Sequence, residues 1–162
     1  MPITAWAGEK PPELNQAIHA ATPTGSATLR KFMLHVYDAS FWSDTNSWQK
    51  APYALSITYA MDFSAKDLSE RTLSEMQRVS DAPEANLRSY AAKLSNLWPD
   101  VKEGDRITAL ARVDGSTLFF HNGRQLGAIA DNIFTSAFFG IWLSPKTSEP
   151  TMRKQLLNPS GE

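Results

Sequence analysis

The stretch Leu29-Arg30-Lys31-Phe32-Met33-Leu34-His35-Val36-Tyr37-Asp38 holds the residues with the strongest claim to chemistry. An Arg and a Tyr hydroxyl on neighbouring backbone can hold a carboxylate, the guanidinium bidentately and the phenol by a charge-assisted hydrogen bond, while Leu, Phe and Trp enclose an apolar tail. The simpler account is alternation, with Arg30 and Asp38 facing water on a half-exposed sheet, because Arg and Asp are rarely buried unpaired. The odd separation of Arg30 and Tyr37 puts them on opposite faces of a continuous strand. A shared cleft therefore requires a turn or bulge within Lys31 to Leu34 that resets the alternation.

Other chemistries find less support. His19, His35 and His121 lie in three different segments, and no His-x-x-x-His or carboxylate cluster offers ligand spacing, so neither a metal nor another cofactor is expected. The chain has no Cys, which excludes disulfides, thiol catalysis and iron–sulfur clusters. It has no G-x-S-x-G elbow, and its 8 glycines are scattered rather than gathered in a phosphate loop. With 16 Lys+Arg against 17 Asp+Glu there is no basic field to hold a nucleic acid backbone. The longest apolar stretch, Ile133 to Leu143, falls well short of the roughly 18 residues that span a bilayer.

The elements that must position these residues follow from periodicity. Thr28 to Leu34 and Val36 to Ser43 are rich in aromatic and aliphatic residues and read as two strands or one bent strand. Tyr53 to Asp62 alternates, with Tyr53, Leu55, Ile57, Tyr59 and Met61 on a face that should be buried and Ala54, Ser56, Thr58 and Ala60 opposite. Ser64 with Asp67 resembles a capping box, followed by a stripe of Leu68, Thr72, Met76 and Val79. Asp81 with Glu84 repeats that signature ahead of Leu87, Ala91, Leu94 and Trp98, and Pro99 stops the helix. Arg106 to Val113, Ser116 to His121 and Gln125 to Ile129 are separated by Asp114-Gly115 and Asn122-Gly123, pairs that favour type I′ turns and predict an antiparallel meander. Asp131 should cap a helix through Leu143, and Ser148 a last helix carrying Met152 and Leu156. Strands, two helices, a meander and two more helices predict an α+β fold in which helices cover one face of an antiparallel sheet.

Residues 1–24 read as a loosely packed N-terminal arm around a short helical candidate, Glu13 to Ala21, and residues 25–162 as the domain. Ala5-Trp6-Ala7 has the small-x-small shape of a signal-peptidase site, which is consistent with a trimmed leader.

The segments VYDASFW, YAMDFSAKDLSERTLSEM, FFHNGRQLGAIAD and FFGIWLSPKTSEP, in this order and spacing, resemble the bacterial branch of the chalcone isomerase-like family over about Gly25 to Leu157. The resemblance implies an open-faced β-sandwich, a large antiparallel sheet with helices packed on one face. Plant enzymes of this kind perform an intramolecular Michael addition with an Arg ahead of a strand, a Thr within it, and Tyr, Lys and Asn from the helical region. Aligned without gaps, Tyr37 stands at the strand Thr, and Ser64, Asp67 and Arg71 stand at the helical Tyr, Lys and Asn; Arg30 is the candidate for the family Arg. Ser144-Pro145 or Thr147-Ser148 matches the pocket-lining hydroxyl before Pro. An Arg with a Tyr on this strand is similar to the fatty-acid-binding relatives, where the pair holds a carboxylate. Relatives of this type commonly carry secretory leaders, so a periplasmic location is expected, with the cytoplasm as the alternative.

These readings lead to non-catalytic binding of a small apolar or amphiphilic molecule, such as a fatty acid, between sheet and helices. The residues expected to line the site are Arg30, Tyr37, Tyr59, Ser64, Arg71, Ser144 and Thr147. One alternative is a cofactor-free isomerase in which Arg30 and Tyr37 stabilise an oxyanion. Another is an interaction module whose cleft is filled by its own Phe, Trp and Leu side chains.

Overall fold

A computed structural model describes residues 9–158; the Ala5-Trp6-Ala7 sequence lies outside the described residues. Six strands form one antiparallel sheet in sequence order: β1 (Gly25–Lys31), β2 (Leu34–Ser43), β3 (Tyr53–Tyr59), β4 (Arg106–Ala111), β5 (Thr117–His121) and β6 (Arg124–Ile129). Helices α1 (Ala65–Val79) and α2 (Glu84–Leu97) follow β3, and α3 (Asn132–Leu143) and α4 (Pro150–Leu157) follow β6. This is the α+β arrangement expected from the pattern of elements.

The helices pack on the sheet face to which alternation sends the larger share of the big apolar residues. Leu29, Phe41, Tyr53, Leu55, Ile57, Ile107 and Phe119 share a core with Met76, Leu87, Leu94, Phe134, Phe138 and Leu156 of the helices. The opposite face carries Trp42, Ala54, Leu110, Leu118 and Phe120, and these pack against Leu14 and Ile18.

The N-terminal segment is therefore not the loosely packed arm read from its prolines. Leu14 and Ile18 are fully buried, and Glu13 accepts hydrogen bonds from Arg106 (2.9 and 3.0 Å) and from Thr108 Oγ1 (2.6 Å). Nor does Glu13 to Ala21 form a helix: a single 3-10 turn, Pro12–Leu14, suffices to aim Leu14 at the sheet.

Turn chemistry shows where local rules hold. Asn122 and Gly123 both have positive φ (50° and 87°), the type I′ geometry their residue types favour. At Asp114-Gly115 only Gly115 is left-handed, the Gly115 amide bonds the Arg112 carbonyl and the Arg112 amide bonds the Ser116 carbonyl. This is a type I turn followed by a bulge glycine, a three-residue loop rather than the expected two-residue one. A second positive-φ pair joins β1 to β2 at Phe32 and Met33 (52° and 70°), a turn that the apolar letters concealed within a strand.

Capping expectations divide in the same way. Ser64 caps α1 by accepting from the Asp67 amide, and Asp131 caps α3 by accepting from the Ile133 and Phe134 amides. Asp81 does not cap α2, which starts behind Pro83 with no side-chain cap. Ser148 does not cap α4, because its hydroxyl is turned to Glu75 instead.

Candidate functional site

Between the helix-facing side of the sheet and the helices lies a cavity of about 470 Å³, within the roughly 300–1,000 Å³ range of small-molecule sites. Its walls are side chains that alternation, interrupted by a bulge at Val36, points inward from β1 to β4, namely Leu29, Val36, Tyr37, Leu55, Ile57, Tyr59, Ile107 and Ala109, closed by Leu68 of α1 and Phe138, Ile141 and Trp142 of α3. The reading of a cleft filled by its own aromatics is thereby corrected: Phe and Trp side chains form the wall and leave the space open.

One end of the cavity is a connected polar rim. Lys31 is ion-paired with Glu149, Ser148 Oγ donates to Glu75 (2.9 Å), and Arg71 approaches Glu75 at 3.5 Å, with Asp67 one helical turn before it. Two cations thus stand among three carboxylates. The rim has no surplus positive charge, and its loosest cation is Arg71, whose side chain is 64% exposed.

Deeper in, the polar groups are neutral and mostly donors. Tyr37 Oη accepts from Trp142 Nε1 at 2.8 Å, and among the described residues its own proton has only the Met152 sulfur at 3.9 Å as acceptor. Trp98, part of the inner wall, has a buried indole N–H without a hydrogen-bond partner among the described residues. Burial pushes the Tyr37 phenol well above its ordinary range, and the Glu149 and Glu75 carboxylates add to this; burial does the same to Tyr59, reinforced by Tyr37. Both phenols stay protonated, as hydrogen-bond donors rather than bases. The two rings meet edge to face at 6.0 Å, which fixes their orientation.

Of the residues expected at the site, the structure brings together Tyr37, Tyr59 and Arg71. Arg30 is excluded: β1 and β2 pair Leu29 with Tyr37 but Arg30 with His35, leaving Val36 as an extra residue in a bulge. The bulge places Tyr37 on the side of Leu29, and Arg30 points away, exposed, on the opposite face. Ser64 serves as the α1 cap, Ser144 accepts from the Lys146 amide beyond α3, and Thr147 is buried, donating to the Ile141 carbonyl and accepting from Glu149 N. None of these three lines the cavity.

Sequence reasoning missed Lys31, Glu75, Glu149, Trp98 and Trp142. A signal existed for Trp142, which lies four residues after Phe138 and so on the same face of α3. For the Glu residues none did, since acidic positions on an exposed helix face and before a proline look like solvated surface.

The sheet order, the helices on one face and an apolar cavity between them define an α+β class, one antiparallel sheet with helices packed over one side. The sequence matches the chalcone isomerase-like family over residues 22–158, and the chain belongs to that family. A Haemophilus influenzae protein, described only as uncharacterized, is 26% identical over 137 residues, covering 83% of this chain and 67% of its own. A crystal structure of an Arabidopsis thaliana fatty-acid binding protein shares the fold with a TM-score of 0.65 over 90% of this chain and 91% of that one, at 8% identity.

Proposed function

We propose that this protein binds, without chemical conversion, a small amphiphile whose apolar tail occupies the cavity and whose oxygen-bearing head sits near Tyr37 and the Arg71 end of the rim. A fatty acid is the foremost candidate. The observation that carries the reading is the open, largely apolar cavity whose wall includes Tyr37 and Trp98, donors that lack a good acceptor among the described residues. Buried donors of this kind are costly unless a partner completes them, and an acceptor oxygen does so. The fatty-acid binding role named for the Arabidopsis neighbour supports the same ligand class.

Cyclisation of a chalcone needs groups that move protons or stabilise an oxyanion in the pocket. Here Ser64 is committed to a helix cap and Arg30 faces away from the cavity, which supports binding rather than turnover. The test is displacement of a fluorescent fatty-acid analogue by dodecanoate and dodecanol, run alongside a chalcone cyclisation assay. Displacement by dodecanoate with cyclisation at the uncatalysed rate is expected. Acceleration by several orders of magnitude would replace this reading with the enzymatic one.

For location we propose the periplasm, on the strength of the Ala5-Trp6-Ala7 sequence and the family resemblance. Fractionation of native cells tests it, and recovery in the cytosol would refute it.

A further inference from the structure

The β1–β2 turn departs from the rules the rest of the chain obeys. Phe32 is 97% exposed, Met33 93% and Leu34 57%, three consecutive large apolar residues in water. Phe32 and Met33 both have positive φ, which bulky residues rarely adopt, whereas the same chain uses Asn122-Gly123 for the same two-residue turn between β5 and β6. A cheaper turn of identical geometry was available, so the stability given up here calls for a function at the tip. From Leu29 to Tyr37 there is no acidic residue; Arg30, Lys31 and His35 stand at the base of the tip, Lys31 paired with Glu149 and His35 with Asp38. Lys31, Phe32 and Leu34 also line the cavity, so the tip borders its polar rim.

We propose that the Phe32–Leu34 tip inserts into the surface of an anionic lipid bilayer, with Arg30 at the headgroups, and that an amphiphile passes between bilayer and cavity at this point. The tip is convex and narrow. Its three side chains offer roughly 400–500 Å² of apolar area, below the roughly 800 Å² per partner of a stable protein interface, whereas an apolar tip with an exposed Arg30 at its base, in no ion pair among the described residues, suits an acyl boundary beneath anionic headgroups. The transfer step rests on the amphiphile-binding reading above; the docking step does not.

Docking is read by flotation with vesicles of phosphatidylcholine containing 30% phosphatidylglycerol, in ~0.1 M salt where surface charge still acts. Wild-type protein floats with these vesicles. Phe32→Asn/Met33→Gly, which installs the favoured turn pair and so keeps the hairpin, should float at least tenfold less. Arg30→Glu should reduce flotation with the anionic vesicles. Displacement of the fluorescent fatty-acid analogue in vesicle-free solution is measured in parallel, and Met33→Gly, outside the cavity wall, should leave it unchanged while lowering flotation. Failure of wild type to float, or equal flotation of the double variant, overturns the docking proposal. Loss of concentration-dependent self-association in the double variant without any vesicle binding overturns it in favour of a contact between copies. Flotation without displacement in solution overturns the ligand reading and the transfer step, and leaves docking standing.

Discussion

Tyr37 and Arg30 are seven positions apart, and the extra residue at Val36 decides which of them meets the ligand. Tyr37→Phe removes a donor whose only acceptor among the described residues is a distant thioether, so dodecanoate affinity should fall by about 1 kcal/mol in calorimetry. Arg30→Ala should leave that affinity in solution unchanged, because Arg30 is outside the cavity wall. Glu13 makes the second residue-scale prediction. Burial by itself would raise its carboxyl, but the hydrogen bonds from Arg106 and Thr108 and the Arg106 charge outweigh this and hold it below the ordinary 4.5. The unfolded chain therefore binds the Glu13 proton first as pH falls; the stabilisation is complete above 4.5 and is lost as pH drops through the folded value. Glu13→Gln should accordingly be less stable than wild type at neutral pH, by about 1.5–3 kcal/mol, with the gap narrowing below pH 4.5. A gap constant with pH in denaturant titrations would show that the carboxylate contributes no more than its shape.

At the scale of elements, close approach of backbones fixes α4 against β1. A Cβ on Gly25, at the start of β1, would lie 2.0 Å from the Gln155 carbonyl oxygen and 2.4 Å from that of Leu156, backbone atoms that cannot swing aside. Gly25→Ala must therefore push α4 outward, moving Met152 and Leu156 from the core and shifting Glu149 ahead of the helix; a loss of about 1–3 kcal/mol is expected, seen as a lower Tm. The opposite sign is expected at the β1–β2 turn, where Phe32→Asn/Met33→Gly should raise stability by about 1 kcal/mol. These two elements also mark what sequence could and could not disclose. Alternation in Tyr53 to Tyr59 announced the buried large face but not that Ala54 and Ser56 opposite are buried as well, beneath the N-terminal segment; the helical stripe through Met76 announced the inner side of α1, and the Asn122-Gly123 turn announced itself by residue type. The Phe32-Met33 turn broke the local preference for its own geometry, so residue type did not show it, and only the spacing of Arg30 and Tyr37 raised a turn within Lys31 to Leu34. Arg30 was misplaced for a different reason, since the bulge at Val36 is set by pairing across strands and leaves no local mark. Glu75 and Glu149 were invisible because their place at the rim depends on α1 and α4 meeting near β1.

For the whole molecule, sheet, helices and N-terminal segment divide the work: Leu14 and Ile18 seal one face of the sheet, which leaves the other free to be incompletely filled. The central claim is that this unfilled space is a binding site for an amphiphile. Ala109 on β4 is 2% exposed and lines the cavity, so Ala109→Phe should occupy part of the space with little change in Tm while competing with a ligand tail. Calorimetric titration of dodecanoate into wild type and Ala109→Phe tests the claim most directly. Saturable binding to wild type is expected, with the negative heat-capacity change of apolar burial, together with affinity at least tenfold weaker in the variant. Absence of binding to wild type, or equal affinity in a folded Ala109→Phe protein, would contradict it.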